Sequence, residues 1–316
     1  MSLFIKVNLS LNLICYLIMI ITVLFSVAFL TLMERKILGY MQNRKGPNKI
    51  LYMGLFQPFS DAMKLLTKEF FFIKNSNYIY FIFSPLLAFI ISMFIWLVYP
   101  FMFNIYYLNF SLIFIFSCLG FNVYSSMIGG WSSCSNYSML GSIRAVAQSI
   151  SYEVSMILMI FCLMIMSESY MLIDYNQLQE YLGYYYYFMP LYTMFFISIL
   201  AELNRTPFDL VEGESELVSG FNTEYLSSLF TLFFLAEYSM ILFMSMLIVL
   251  LFFGFNNYFI LNYMFHVYSI LWIRAVYPRI RYDQLMFMCW KIFLPVTLSL
   301  IMNVYGLKMM LIYFIM

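Results

Sequence analysis

The chain has 316 residues, 64% of them hydrophobic and 10% charged, with a formal net charge of +1. Water-soluble domains carry roughly 25% charged residues, so lipid is the solvent this composition suits, and the predicted fold class is an all-α polytopic membrane protein. The near-zero net charge argues against a nucleic-acid partner and leaves membrane lipids as the expected surroundings.

Crossing the hydrocarbon layer takes about 20 apolar residues. Eight runs qualify, giving eight predicted transmembrane helices: 11–33, 78–103, 106–128, 146–166, 184–203, 225–255, 258–277 and 285–316. The whole chain, 1–316, reads as a single membrane domain. The first run is too long for a signal-peptide core. The segment before it, with Lys6 and no arginine, does not read as a transit peptide.

The first run ends at Glu34-Arg35. A carboxylate beside a cation at that depth predicts a polar entrance. The loop that follows, 34–77, contains a helix-like stretch, 58–72. Asp61, Lys64 and Lys68 recur there at spacings of 3 and 4, with Met63, Leu66 and Phe70 on the other face. That pattern predicts an amphipathic interfacial helix after the first span. Lys64 and Lys68 are equally explained as snorkelling anchors at a membrane surface.

The second and third runs lie in a 69-residue stretch, 75–143, without a single charge, and Pro100 and Asn104 mark the break between them. After the loop 129–145 comes the fourth run. Ala147, Ser151 and Ser155 recur there every four residues, a small face against which another helix can pack closely. Glu153 lies inside that run. An intramembrane carboxylate is costly, which points to function with a partner; a neutral, hydrogen-bonded glutamate that fixes packing is the plainer alternative.

Glu202 closes the fifth run and Glu237 lies about three turns into the sixth. With Glu153 they place three carboxylates on the same-side halves of three spans. Burial of such groups suits proton exchange near neutral pH. The intervening loop, 204–224, opens with Thr206-Pro207, which reads as a helix N-cap followed by the first helical position. Residues 202–224 hold six acids, among them Asp209, Glu212, Glu214 and Glu216, and one base. A solvated acidic loop would look similar. A continuous acidic path is the more economical reading, because the loop joins two spans that each carry a carboxylate. The sixth run, 31 residues, exceeds what a perpendicular span needs. The loop 278–284 separates the last two runs.

Of the 16 basic residues, 14 fall in the loops after spans 1, 3, 5 and 7 or, as with Arg274 and Lys291, in the span ends that flank the last of these loops. The positive-inside rule puts those loops on the matrix or cytoplasmic face and both termini on the other. Five scattered cysteines without a C-x-x-C spacing, and one histidine, His266, cannot be read as an iron–sulfur, zinc or haem site. No metal site and no redox centre is predicted in this chain. The abundance of Phe (36), Tyr (28) and Met (27) against Gly (12) and Pro (8) matches an AT-rich coding sequence, as in many organelle genomes.

Several ordered segments resemble one family. They are ERKILGYMQ (Glu34 to Gln42), RKGPN (Arg44 to Asn48), QPFSDAMKL (Gln57 to Leu65) and GSIRAVAQSISYEVS (Gly141 to Ser155). They continue with AELNRTPFDLVEGESELVSGFNTEY (Ala201 to Tyr225) and WIRAVYPRIRYDQLM (Trp272 to Met286). Together they resemble the subunit 1 family of the mitochondrial proton-pumping NADH:ubiquinone oxidoreductase, respiratory complex I. The resemblance runs from about Leu32 to the end of the chain.

That resemblance implies eight transmembrane helices where the membrane arm meets the peripheral arm, in the mitochondrial inner membrane. Both termini would then lie in the intermembrane space, and the chain would be encoded in the organelle. It implies ubiquinone as substrate, no cofactor bound by this chain, and flavin and iron–sulfur clusters in partner subunits. The implied role is that of a subunit without a redox centre, inert alone. The resemblance also implies that Glu34, Arg35, Arg44, Asp61, Arg205, Arg274 and Arg279 border the quinone tunnel. Asp209, Glu212, Glu214 and Glu216 would link quinone chemistry to Glu202, Glu153 and Glu237, where the proton route starts. An ion carrier working alone is the competing hypothesis. Repeat symmetry or paired broken helices would favour it, and neither is seen in the sequence.

Overall fold

The computed structural model describes residues 2–69, 71, 74–100, 108–179, 182–210, 213, 220–256 and 258–315. In chain order the helices are α1 (Ser2–Met41), α2 (Gln57–Leu66), α3 (Tyr78–Phe94), α4 (Ser111–Ser132), α5 (Asn136–Ser167), α6 (Leu172–Leu178), α7 (Tyr184–Tyr187) and α8 (Met189–Glu202). They continue with α9 (Ser227–Phe252), α10 (Phe259–Val276), α11 (Tyr282–Phe287) and α12 (Leu294–Ile315). There is no strand among the described residues.

Seven helices among the described residues are long and apolar enough to cross a membrane. The predicted run 184–203 is divided into α7 and the 14-residue α8. Pro190 lies at the division. It has no N–H to donate and its ring crowds the carbonyl four residues back, which suits it to the first turn of α8. At 1.5 Å per residue, α8 spans only about 21 Å.

Three further expectations are corrected. Residues 136–145, expected in a loop, are helical, and Ser138 and Ser142 satisfy their hydroxyls on the carbonyls of Ser135 and Met139, so these polar side chains can be buried there. The stretch 58–72 is helical only to Leu66. Thr206-Pro207 starts no helix. The Pro207 carbonyl accepts from the Ile280 N–H at 3.0 Å instead of from a following turn, and the chain runs on as a turn to Leu210.

α9 is the axis of the bundle, buried along nearly all its length. α1, α3 and α10 pack around it, α4 packs between α3 and α5, and α12 lies on α5. Glycines set the closest approaches. A Cβ on Gly141 of α5 would stand 2.8 Å from the Gly220 backbone, and one on Gly130 of α4 would meet Ser142 of α5.

The small face of α5 receives the last helix, as its spacing predicts. Ser151 and Ser155 are buried, and the Cys289 thiol donates to the Ser151 carbonyl at 3.1 Å. There the last helix widens into a π-helical segment, Met288–Phe293, just before Pro295. Proline cannot satisfy the carbonyl four residues back, and a local π-turn is one way the helix adjusts. At the far end Lys308 donates to the Ile165 carbonyl and pairs with Glu168 at 2.6 Å, placing a cation at the C-terminus of α5.

Candidate carboxylate–arginine site

Glu34 is the only charged side chain of α1 turned into the bundle among the described residues, and its side chain is 4% exposed. A buried carboxylate must be paired to persist. Arg205, from the turn after α8, donates through Nη1 to Oε1 at 2.9 Å. Arg274 of α10 donates to the same oxygen. The Tyr238 hydroxyl of α9 donates to Oε2 at 2.6 Å. The Arg205 guanidinium also lies over the Tyr238 ring, 4.6 Å from its centroid. Three separate elements thus converge on one carboxylate of a fourth. Burial alone would lower the Arg205 pKa, but the Glu34 carboxylate, helped by Tyr238 and Glu237, holds it above its ordinary value.

The cluster opens on a cavity of about 110 Å³ lined by Glu202, Asn204, Arg205, Asp209, Glu237 and Tyr238, with Asn122, Ser125 and Ser126 of α4 on the opposite wall. That volume holds several waters. Among the described residues, Glu202 Oε2 and Asn204 Oδ1 have no hydrogen-bond partner. Glu202 and Glu153 stand close enough for their charges to interact. The Glu153 carboxyl rests against Gly120 of α4, where a Cβ would stand 3.2 Å from Oε1. A glycine there makes room for the carboxyl between two packed helices.

The sequence-predicted residues divide into groups. Glu34, Arg205 and Arg274 form the cluster. Glu202, Glu237 and Asp209 line its cavity, and Glu153 stands beside Glu202. Arg35 points the other way, pairing with Asp61 of α2 at 2.5 Å, while Gln57 donates to the other Asp61 oxygen at 2.9 Å. Arg279 pairs with Asp209 at 3.2 Å, tying the segment before α11 to the turn after α8. Arg44 is exposed and donates to Gln42; no contact joins it to the cluster. Glu212, Glu214 and Glu216 lie outside the described residues. No group of three metal-ligating residues occurs among the described ones.

Sequence reasoning missed Tyr238 and Gln148. Tyr238 follows Glu237 directly, yet one tyrosine among 28 carries no signal by itself. Gln148 is an uncharged amide at a fully buried position of a membrane helix, a signal the sequence did carry.

Comparison with known proteins gives the family. The family profile described as NADH dehydrogenase matches residues 14–305. A protein of Apis mellifera ligustica named NADH-ubiquinone oxidoreductase chain 1 is 52% identical over 295 residues, covering 92% of this chain and 96% of that protein. Its namesake in Anopheles gambiae is 49% identical, covering 92% and 94%. The one in the whale Balaenoptera physalus is 48% identical over 294 residues, covering 90% and 92%. With half of all positions shared along almost the full length of these relatives, the chain belongs to the NADH dehydrogenase family, the subunit 1 family of the respiratory-chain NADH:ubiquinone oxidoreductases.

Proposed function

We propose that the Glu34 cluster and its cavity form the membrane-side part of the ubiquinone tunnel and the start of the proton route that couples quinone reduction to proton translocation. The observation carrying this reading is the convergence of two arginines and a tyrosine on one buried carboxylate, beside a polar cavity holding Glu202 and Glu237. Reduction of a quinone takes up two protons as well as two electrons, so a water-sized cavity between titratable carboxylates suits its proton side. Electrons arrive from NADH through flavin and iron–sulfur clusters in partner subunits of the peripheral arm. This chain contributes binding, charge and proton conduction, and is inert alone. In this reading Arg35, Asp61, Arg44 and Arg279 border the tunnel toward the peripheral arm, and Asp209, Glu212, Glu214 and Glu216 continue the acidic path.

The same reading takes α7 and α8 as the fifth of eight spans and α2 as an interfacial helix. Phe59 of α2 packs on Phe25 and Phe29 of α1, at 6.3 and 6.2 Å, while Met63 and Leu66 are exposed. The chain, encoded in the organelle, would cross the mitochondrial inner membrane with both termini in the intermembrane space. The basic loops then face the matrix. Protease added to mitoplasts from the intermembrane side should therefore leave Arg44–Lys49 uncut, and should cut it in inverted vesicles. Cleavage from the intermembrane side would overturn the orientation.

Glu202→Gln and Glu153→Gln test the proton route. Glutamine keeps size and hydrogen bonding but removes titration. Both variants should assemble, with more risk for Glu153→Gln in its tight groove. Both should lose about a hundredfold in NADH:ubiquinone reductase rate and in proton uptake by sealed vesicles, the lower end of the range for loss of a proton-transfer group. Wild-type turnover with full proton transfer in both variants would leave the carboxylates as neutral packing groups.

A further inference from the structure

Gln148 of α5 is fully buried, five residues before Glu153 on the same helix. Its amide nitrogen donates one hydrogen to the Ala201 carbonyl at 2.8 Å and the other to the Phe208 carbonyl at 2.9 Å. Both partners are acceptors, so the amide has only one workable orientation. Its oxygen, in contrast, is buried with no partner among the described residues. An amide that leaves its acceptor unpaired while spending both donors is committed to the donors.

The two carbonyls bracket the turn that carries Glu202, Asn204 and Arg205. Ala201 lies in the last turn of α8, where its carbonyl also accepts from the Asn204 N–H at 3.2 Å. Phe208 follows the turn. On its other side, the turn is tied through the Pro207 carbonyl to the Ile280 N–H and through Asp209 to Arg279. One face of the turn is therefore pinned by the segment before α11 and the other by a single side chain of α5.

We propose that Gln148 is the positioning residue that holds Glu202 and Arg205 at the Glu34 cluster, through the two carbonyls that bracket them. This rests on the reading of that cluster as the coupling site and deepens it. Gln148 touches neither the cavity-lining carboxylates nor the arginine directly. It fixes the backbone from which both project. A shift of the turn by even an ångström would stretch the 2.9 Å bond from Arg205 to Glu34 and move Glu202 against Glu153.

The test compares two substitutions in assembled complex in membranes, each rate taken as a ratio to wild type at the same pH. Gln148→Met keeps length but donates nothing. Gln148→Glu is nearly isosteric. Protonated, it donates one of the two bonds; ionised, it donates none and sets a charge against two carbonyls. The two elements that Gln148 joins carry Glu202, Arg205 and Asp209 on the turn and Glu153 and Tyr152 on its own helix. Gln148→Met leaves all of these in place and adds no titrating group, so it is the control for their contribution.

With a short-chain ubiquinone, Gln148→Met should run about tenfold below wild type from pH 6 to pH 8.5. Gln148→Glu should lie within about threefold of wild type at pH 6 and fall to the Gln148→Met level at pH 8.5. A ratio for Gln148→Glu that is flat with pH, or wild-type turnover in Gln148→Met, would overturn the proposal. So would failure of both variants to assemble, which would make Gln148 a folding residue. The parent reading fails separately: Glu202→Gln and Glu153→Gln would then turn over at wild-type rate whatever the Gln148 variants do.

Discussion

Glu34→Gln is expected to leave little assembled chain. The substitution removes the one negative charge that Arg205 and Arg274 share and leaves two guanidinium groups facing a neutral amide. Arg205 is 11% exposed and Arg274 35% exposed, so the first has only the adjoining cavity to turn to. Removing one partner of a buried ion pair costs about 3–5 kcal/mol, mainly because the survivor's charge stays buried and unpaired. A domain's whole stability is about 5–15 kcal/mol. The assembled amount on a native gel should therefore fall severalfold or more. The surviving complex should have a reduced quinone reductase rate. The same argument predicts partial rescue. Glu34→Gln combined with Arg205→Met removes the uncompensated charge and should assemble better than Glu34→Gln alone, a non-additivity expected only of groups in direct contact. Wild-type assembly of Glu34→Gln, or a double variant worse than both singles together, would show that the cluster does not hold the bundle.

The parts of this site differ in how readable they are. Glu34, Arg205 and Arg274 each stand out in the sequence as charges at the ends of apolar runs, but they lie 171 and 240 positions apart in their pairings. Periodicity assigns a residue to a face of its own helix and does not say which other helix that face meets. The family resemblance grouped the three. Only the structure brings them to one carboxylate. Glu34 and Arg35 look like a pair in the sequence and are not one. Neighbours on a helix point about 100° apart, so Glu34 faces the bundle while Arg35 reaches Asp61.

Seven of the eight apolar runs coincide with helices long and apolar enough to cross a membrane, because length and apolar content are what lipid selects. Hydropathy failed where local chemistry decides. One run is divided at Pro190, and the serine-rich segment before Val146 is helical, with its hydroxyls satisfied on carbonyls of its own helix. The Thr206-Pro207 pair has a helix-start composition, yet the Pro207 carbonyl is committed to Ile280. Gln148 and Tyr238 show the opposite case. Each is a neutral polar group whose importance comes from the atoms it meets, from Ala201 and Phe208 in one case and Glu34 in the other.

Arg205 and Arg274 bond to the same oxygen, yet their losses should differ. Arg205 is nearly buried, makes a 2.9 Å bond to Glu34 and lies over the Tyr238 ring, 4.6 Å from its centroid. Arg274 keeps a third of its surface accessible. Solvent screens that guanidinium, and pairs of this kind contribute at most about 1 kcal/mol when exposed. Arg205→Met should therefore lose most of the assembled chain, for the 3–5 kcal/mol reason that applies to Glu34. Arg274→Met should leave more than half of it.

Arg205→Lys separates charge from shape. A lysine keeps the positive charge, but its compact ammonium cannot offer a planar fork to Glu34 and stack over Tyr238 at once. It forfeits the ring contact, about 1–2 kcal/mol when desolvated, and must desolvate a more strongly hydrated head. The variant should assemble at an intermediate level. Its quinone reductase rate per assembled complex should be about tenfold below wild type, because the cation is displaced from the cavity mouth. Assembly on a native gel and rate per assembled complex, measured for all three variants, decide the matter. Equal assembly of Arg205→Met and Arg274→Met would refute the dependence on burial. A wild-type rate in Arg205→Lys would show that a positive charge alone suffices at the cluster and that the geometry of the guanidinium is incidental.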